Sequence, residues 1–407
     1  MSVLRRAVEA RSAFDPSALT PYRWGAGRSS SSGVTVNDRA ALSVIDFFAG
    51  VRIISDAVAL TPIQGFTQDP SGLRVPVVNK PSQLIDPFMD FNLQQGLGQI
   101  VTSLILRGNA YGIAVGFDRT GTANKWRILN PDQVAVTWDS DGFRQYTVNG
   151  VLRDTPLMWH VAANMLPNDV KGMGIVEYCR NAIGLGIALD DVSGSFFKNG
   201  IMSTGIISTD VPLTQDEVKA TAEQFIQNHA GVGRASLPIV IGGGAKYTPI
   251  SLTPEDSQFL QSREFQRGEI ATLLGIPPHL LGIIDRTTSW GTGIEVQGRA
   301  FVDYTLRSYF VRIETLFSSW LQPGTYAAFD TDAITRATTS ERYSNWNKAI
   351  LSGFLNVDEV RRREGLPPLP DGKGEAYHTS VQVQEIPNPD VSAPPAAVPT
   401  NDPATDI

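Results

Sequence analysis

The segment from Ile294 to Leu321 constrains the fold more than any other. Ile294, Phe301, Val302, Leu306, Tyr309, Phe310, Ile313, Leu316, Phe317, Trp320 and Leu321 hold helical spacing throughout. Around thirty residues at 1.5 Å rise make a rod of roughly 45 Å. Such a rod is a structural beam more readily than a wall of a small active site. With 407 residues, of which 42% are hydrophobic, the chain has enough material for two or more domains with a core.

The charge balance narrows the function. Lys and Arg number 34 against 41 Asp and Glu, a net charge of −7. Tight binding of nucleic acid rests on a basic face that neutralises phosphates, so the balance argues against a strong grip. It leaves room for a protein that lets nucleic acid slide past. The single cysteine, Cys179, forms no intrachain disulfide and fits a reducing compartment. "MSVLRRAVEARSAFDPS" has two arginines but no apolar stretch after them. The most apolar long segment, "ALSVIDFFAGVRIISDAVAL", carries Asp46, Arg52 and Asp56 and predicts a core helix rather than a membrane span. The expectation is a soluble chain made in the cytoplasm, with no membrane partner.

Residues 1–37 predict a flexible arm, since "RWGAGRSSSSGV" lacks periodicity. At the other end, 376–407 predicts a disordered tail, with six prolines in its last 23 residues. Between them helices and short strands alternate. Asn37 or Asp38 can cap a helix whose buried face is Val44, Phe48, Val51, Ile54 and Val58. Asp86, followed by Pro87, predicts the start of a second helix through "DPFMDFNLQQGLGQIVTSLIL". "YGIAVGF", "KWRILN", "QVAVTWD", "FRQYTV" and "LMWHVA" predict antiparallel strands, with "DSDG" as a hairpin turn.

A glycine-punctuated helix follows over 174–199, and its glycines predict close approach of a neighbouring backbone, as in tightly packed parallel helices. The strand "TGIIST", a helix opened by the capping box Thr214-x-x-Glu217, and the strands "LPIVIG" and "AKYTPIS" form a small α/β unit. Thr253 caps a helix with Pro254 at its first position. A strand "TYAAFD" leads to two last helices, one with Tyr343, Trp346 and Ile350, the other capped near Asn356 and ended at Gly365. The class is α+β.

Candidate chemistry is sparse. "IGGGAK" at 241–246 lacks phosphate-loop spacing and reads as a turn between strands. His160, His229, His279 and His378 stand far apart, outside any ligand-spaced motif, and no carboxylate cluster suggests a metal. Asp190 and Asp191 are adjacent on one helix and point in different directions, so they do not face one substrate. Arg361, Arg362 and Arg363 near a helix C-terminus suit the dipole and are candidate phosphate contacts. No catalytic residue, metal or cofactor is expected. The polar loop of Asp285, Arg286, Thr287, Thr288, Ser289 and Trp290, with glycines at 282, 291 and 293, stands between two helices without any chemistry of its own.

The run "LPIVIGGGAKYTPISLTPEDSQFLQSREFQRGEIATLLGIPPHLLG", then "IEVQGRAF" leading to "RIETLFSSWL", resembles the portal proteins of long-tailed double-stranded DNA bacteriophages. "GNAYG" at 108–112 and "FFKNGIMSTGII" at 196–207 match upstream, and "ILSGFLNVDEVRRREGLPPLPDG" matches downstream. The resemblance covers about residues 38–375. It implies a multidomain portal-type subunit: a wing over 38–173, stem helices over 174–199 and 253–277, and a clip over 200–252. A wing return over 278–335 would hold a tunnel loop at 282–293 and the long helix 294–321, and 336–375 would be a helical crown. It further implies a ring, usually of twelve copies, at one capsid vertex of the virion, assembled in the host cytoplasm. Double-stranded DNA would pass through it non-specifically during packaging and ejection. The implied partners are the large terminase subunit, the major capsid or scaffold protein, and head–tail connector proteins. A loop that touches moving DNA needs small polar contacts without deep wells, and like-charge repulsion keeps phosphates off an acidic wall. Another ring of the virion neck, or an enzyme using the 241–246 glycines or Asp190 and Asp191, are the alternatives.

Overall fold

The computed structural model describes residues 27–199, 205–208, 214–216, 218–220, 246–249, 255–283, 292–331, 334 and 339–377. They fall into two compact units, residues 1–335 and residues 336–407.

The first unit is built on two apolar helices packed in one core. Residues 27–37, expected within a flexible arm, instead form a small antiparallel hairpin of β1 (Arg28–Ser29) and β2 (Thr35–Val36). Burial of Val36 and a hydrogen bond from Ser31 N–H to Asn181 Oδ1 at 3.1 Å hold it down. Asn37 then caps α1 (Asp38–Ser43) by accepting Ala40 N–H at 2.8 Å. Val44 is extended, and the helix restarts as α2 (Ile45–Leu60). That break resets the phase of the apolar stripe: Phe47, Val51, Ile54 and Val58 are buried, whereas Phe48 is 52% exposed. Each such side chain contributes roughly 1.5–3 kcal/mol by leaving water.

The second helix starts later than its sequence suggests. Asp86 closes the short α3 (Ser82–Ile85), and Asn92 caps α4 (Leu93–Arg107) in a reciprocal box with Gln95. The box satisfies two backbone donors at once, which Asp86 and Pro87 do not. Pro87 and Phe88 run alongside Trp126 instead. The Phe88 ring fills the space where a Cβ on Gly96 would lie 2.1 Å from it. Leu97, Ile100, Val101 and Leu104 of α4 complete the core with α2.

Three three-stranded antiparallel sheets surround these helices. β3 (Ile63–Gln68) lies between β4 (Arg74–Pro76) and a strand from the far end of the unit, Thr325–Phe329. β5 (Asn109–Phe117) lies between β6 (Ala123–Leu129) and β10 (Met158–Ala162). β7 (Val134–Trp138), β8 (Arg144–Val148) and β9 (Val151–Arg153) form a meander over a second cluster with Tyr111, Val136 and Tyr146. "DSDG" does turn β7 into β8, and the same chemistry recurs in two other hairpins. Asp69, Asp118 and Asp139 each accept backbone N–H groups two and four residues on, between 2.8 and 3.0 Å. Each is followed three residues later by a glycine with φ near +80°.

The glycine-rich helix is broken at Cys179 into α5 (Ile175–Tyr178) and α6 (Arg180–Asn199). α7 (Glu255–Leu274) packs against α6. Gln266 donates to Ala182 O and Arg263 pairs with Asp190, so α6 and α7 run antiparallel, not parallel. The close approach at the glycines is made by side chains rather than backbone. A Cβ on Gly184 would lie 2.4 Å from Ser30 Oγ, and one on Gly186 2.5 Å from Gln266 Nε2. Of the α/β unit between these helices, β11 (Gly205–Ser208) and β12 (Lys246–Pro249) pair antiparallel. "LPIVIG", Glu217, most of "IGGGAK", Thr253 and Pro254 lie outside the described residues.

The long helix runs from Thr292 to Ser318 and is not α-helical throughout. α8 (Thr292–Ala300) and α9 (Arg307–Ser318) flank a π-helical turn, Phe301–Leu306, in which Arg307 N–H reaches Val302 O. Phe301 and Leu306, five residues apart, are both buried. Beyond the helix Trp320 stacks on Trp126 at 3.8 Å, and Trp159 lies 6.2 Å from it. β13 (Thr325–Phe329) then joins β3.

The second unit holds α10 (Thr339–Leu351) and α11 (Val357–Arg363). Asn356 caps α11 with Glu359 as expected, and Gly365 ends it at φ +72°. Glu364 accepts Arg342 Nε at 2.7 Å and Trp346 Nε1 at 2.8 Å, tying the two helices.

Candidate functional site

Asp285, Arg286, Thr287, Thr288, Ser289 and Trp290 lie outside the described residues. The structure defines the base on which they stand. α7 ends at Gly275, whose φ of +66° suits glycine alone among unstrained residues. Gly275 N–H bonds Thr272 O at 3.1 Å and Ile276 N–H bonds Ala271 O at 2.9 Å, the paired pattern that closes a helix through a left-handed residue. Pro277 and Pro278 forbid continuation and open a single helical turn, Pro278–Leu281. That turn ends the same way: Gly282 has φ +72°, with Gly282 N–H on His279 O and Ile283 N–H on Pro278 O, both 3.1 Å. Two glycine-closed turns in eight residues fix where the loop begins.

Side chains from distant elements then lock this base. Arg267 Nε lies 3.1 and 3.0 Å from the two Asp46 carboxylate oxygens, and its Nη2 donates to Leu281 O at 3.1 Å. Asp46 sits in the first turn of α2, so one guanidinium ties α7, α2 and the loop base together. Thr305, within the π turn, donates its hydroxyl to Gly275 O at 2.6 Å. Gly50 on α2 leaves room for Leu274 and Ile276, since a Cβ there would lie 2.3 Å from Leu274 Cδ1. The segment that ends at Ile283 and the helix that contains Thr305 are therefore tied to each other.

Among the described residues, most of the other candidates have partners of their own. Arg361 Nε donates to Pro367 O at 2.7 Å, and the Arg363 guanidinium lies 5.5 Å from the Trp346 ring, while Arg362 is exposed. Asp190 is the α6 partner of Arg263 at 2.6 Å. His229 and His378 fall outside the described residues. His160 stacks on Tyr111 at 4.4 Å, with Nε2 3.0 Å from Asn109 Oδ1. Burial first, then the charges of Arg144 and Lys171, depress its pKa to about 3. Asn109 also accepts Gly172 N–H at 2.7 Å and donates to Arg107 O and Gly172 O. "GNAYG" is thus a structural knot: Gly108 caps α4 at φ +68°, and Gly112 makes room for the Trp159 indole. Among the described residues no group of three His, Cys, Asp or Glu could hold a metal, and no helix is long and apolar enough to cross a membrane.

Arg267, Asp46, Gly50 and Thr305 carry no local motif. Arg267 and Asp46 are 221 residues apart, a pairing that periodicity cannot reveal. Glycine followed by Ile-Pro-Pro after an apolar run is the signal in the sequence that marks Gly275 as a helix stop, two residues before the expected end at 277.

The comparisons with known proteins agree with one another. A model of the family described as phage portal protein matches residues 46–365. The probable portal protein of Streptomyces phage phiC31 is 31% identical, with 93% of this chain and 86% of that one covered. The portal protein of Enterobacteria phage HK97 is 28% identical, covering 83% of this chain and 82% of that one. A chain from the neck of a native gene transfer agent particle, computed with C12 symmetry, superposes with a TM-score of 0.54. It covers 89% of this chain and all of that one at 22% identity, a likeness of fold. The chain, an α+β subunit of portal type, belongs to the phage portal protein family.

Proposed function

We propose that copies of this chain, twelve in number, close into a ring at one capsid vertex and that double-stranded DNA passes through its centre during packaging and ejection. Residues 282–293 line the passage. The observation that carries this reading is the loop base: a polar segment without acid–base or ligand chemistry is delivered from a support locked by Arg267, Asp46 and Thr305. A contact with a moving duplex needs a fixed origin and shallow wells, because each strong bond would have to be broken as the duplex advances. The family membership and the twelvefold symmetry of the gene transfer agent neck support the ring.

On this reading residues 38–173 form the wing with the return 278–335, and residues 174–199 and 253–277 form the stem. Residues 200–252 form the clip, and 336–375 the crown. The clip meets the large terminase subunit and later the head–tail connector proteins, and the wing meets capsid or scaffold protein. The protein works without catalysis, in the virion vertex, after assembly in the host cytoplasm. Replacing residues 285–290 with a Gly-Ser linker tests the role of the loop. Rings should still assemble while packaged DNA falls; normal packaged length and infectivity would remove the loop from the passage.

A further inference from the structure

Among the described residues, the three arginines that end α11 have no carboxylate partner. Every described acid near them is engaged elsewhere. Asp358 is buried and its Oδ1 accepts Leu369 N–H at 2.8 Å. Glu359 accepts Asn356 N–H at 2.9 Å and the Tyr377 hydroxyl at 3.0 Å. Glu364 is held by Arg342 and Trp346. The partners of Arg361 and Arg363, a carbonyl and an indole face, neutralise nothing. Among the described residues no carboxylate lies within 4.0 Å of Arg361, Arg362 or Arg363.

The chain supplies such charge nearby. Residues 378–407 carry Glu385, Asp390, Asp402 and Asp406, with no lysine or arginine and six prolines. They begin directly after Tyr377, whose hydroxyl is tied to Glu359. Glu359 lies three and four positions before Arg362 and Arg363, which makes them neighbours on one helix face. At about 3.3 Å per extended residue, Glu385 has a reach of roughly 26 Å from Tyr377. Tethering on so short a linker gives effective concentrations in the mM range.

We propose that residues 378–407 dock by charge on the Arg361–Arg363 turn and compete there with DNA phosphate. The docking stands apart from the conduit reading, whereas its consequence for DNA rests on it. The acidic segment keeps a basic spot from gripping the duplex while leaving it able to yield.

Two measurements on the full-length chain test the two parts. A spin label is placed at Ser392→Cys in a Cys179→Ser background. It should be immobilised at about 50 mM salt and become mobile at several hundred mM, where charges are screened. It should also be mobile when Arg361, Arg362 and Arg363 are all changed to Gln. A label that is mobile at low salt, or immobilised regardless of the arginines, overturns the docking. Separately, Glu385→Gln, Asp390→Asn, Asp402→Asn and Asp406→Asn are combined and binding to double-stranded DNA is measured against salt. Three freed arginines should steepen the slope of log K against log salt by up to about 2.7. An unchanged slope and affinity overturn the competition, whatever the label reports.

Discussion

Replacing Arg267 with Met keeps the aliphatic stem and removes the fork that joins α2, α7 and the loop base. Its Nε lies 3.1 and 3.0 Å from the Asp46 oxygens, and Nη2 lies 3.1 Å from Leu281 O. The Asp46 side chain is only 14% exposed, and that of Arg267 is 36% exposed. Stripping one partner from a fully buried pair costs about 3–5 kcal/mol. Solvent reaches this guanidinium, so screening reduces the ionic part to about 1–2 kcal/mol. The lost bond to Leu281 O adds about 1 kcal/mol. A total of about 2–3 kcal/mol raises the open population of the loop base about 30- to 160-fold. Hydrogen exchange of a peptide spanning 275–283 reads this directly, because the Ile276 and Ile283 amides are bonded only while the base is closed. Arg267→Lys should give an intermediate increase, since it keeps the charge without the fork. Unchanged exchange in Arg267→Met would refute the lock. So would strict additivity of Arg267→Met with Asp46→Asn, because contacting residues should couple by more than about 0.5 kcal/mol.

Two glycines on α4 should respond with opposite sign in thermal melts. Gly96→Ala places a Cβ 2.1 Å from the Phe88 ring and should destabilise by about 1–3 kcal/mol, whereas Gly98→Ala meets only Ala59 at 3.9 Å and should stabilise by up to about 1 kcal/mol. His160 is held neutral, with its folded pKa of about 3 well below the ordinary imidazole value of about 6.5. The unfolded chain therefore binds the extra proton between those pH values. Stability from this group is full above pH 6.5 and falls toward pH 3, with a slope of up to about 1.4 kcal/mol per pH unit. Melts of His160→Phe should lose that part of the slope, and an unaltered profile would acquit His160. Deleting Asp303, exposed in the π turn, should convert Phe301–Leu306 to ordinary α-helix while rings still form, since a π turn is one residue more than an α-helix needs. Failure of the deletion variant to assemble would mean the wide turn is required for folding.

Where the residues that decide a feature are close in sequence, the feature was legible. Asn37 and Asn356 announce their caps, the Asp-x-x-Gly turn announces its hairpin, and the apolar residues beyond Phe301 announce the long helix. Misreadings arose where two nearby signals competed. Val44 breaks the helix, so Phe47 takes the place expected for Phe48. The box of Asn92 and Gln95 outbids Asp86 and Pro87. The π turn left no composition signal, because five-residue spacing between Phe301 and Leu306 hides among neighbouring apolar residues. Long-range locks were illegible in principle, as with Arg267 and Asp46. The loop itself was visible only as an absence of chemistry, and the resemblance of the surrounding motifs gave that absence a meaning.

The central claim is an arrangement of copies about a shared passage, and a cryo-electron reconstruction of the purified full-length chain tests it most directly. The account predicts a closed ring in which residues 282–293 of every copy face the axial channel. Separate molecules at all concentrations, or a ring carrying that segment on its outer surface, would contradict it.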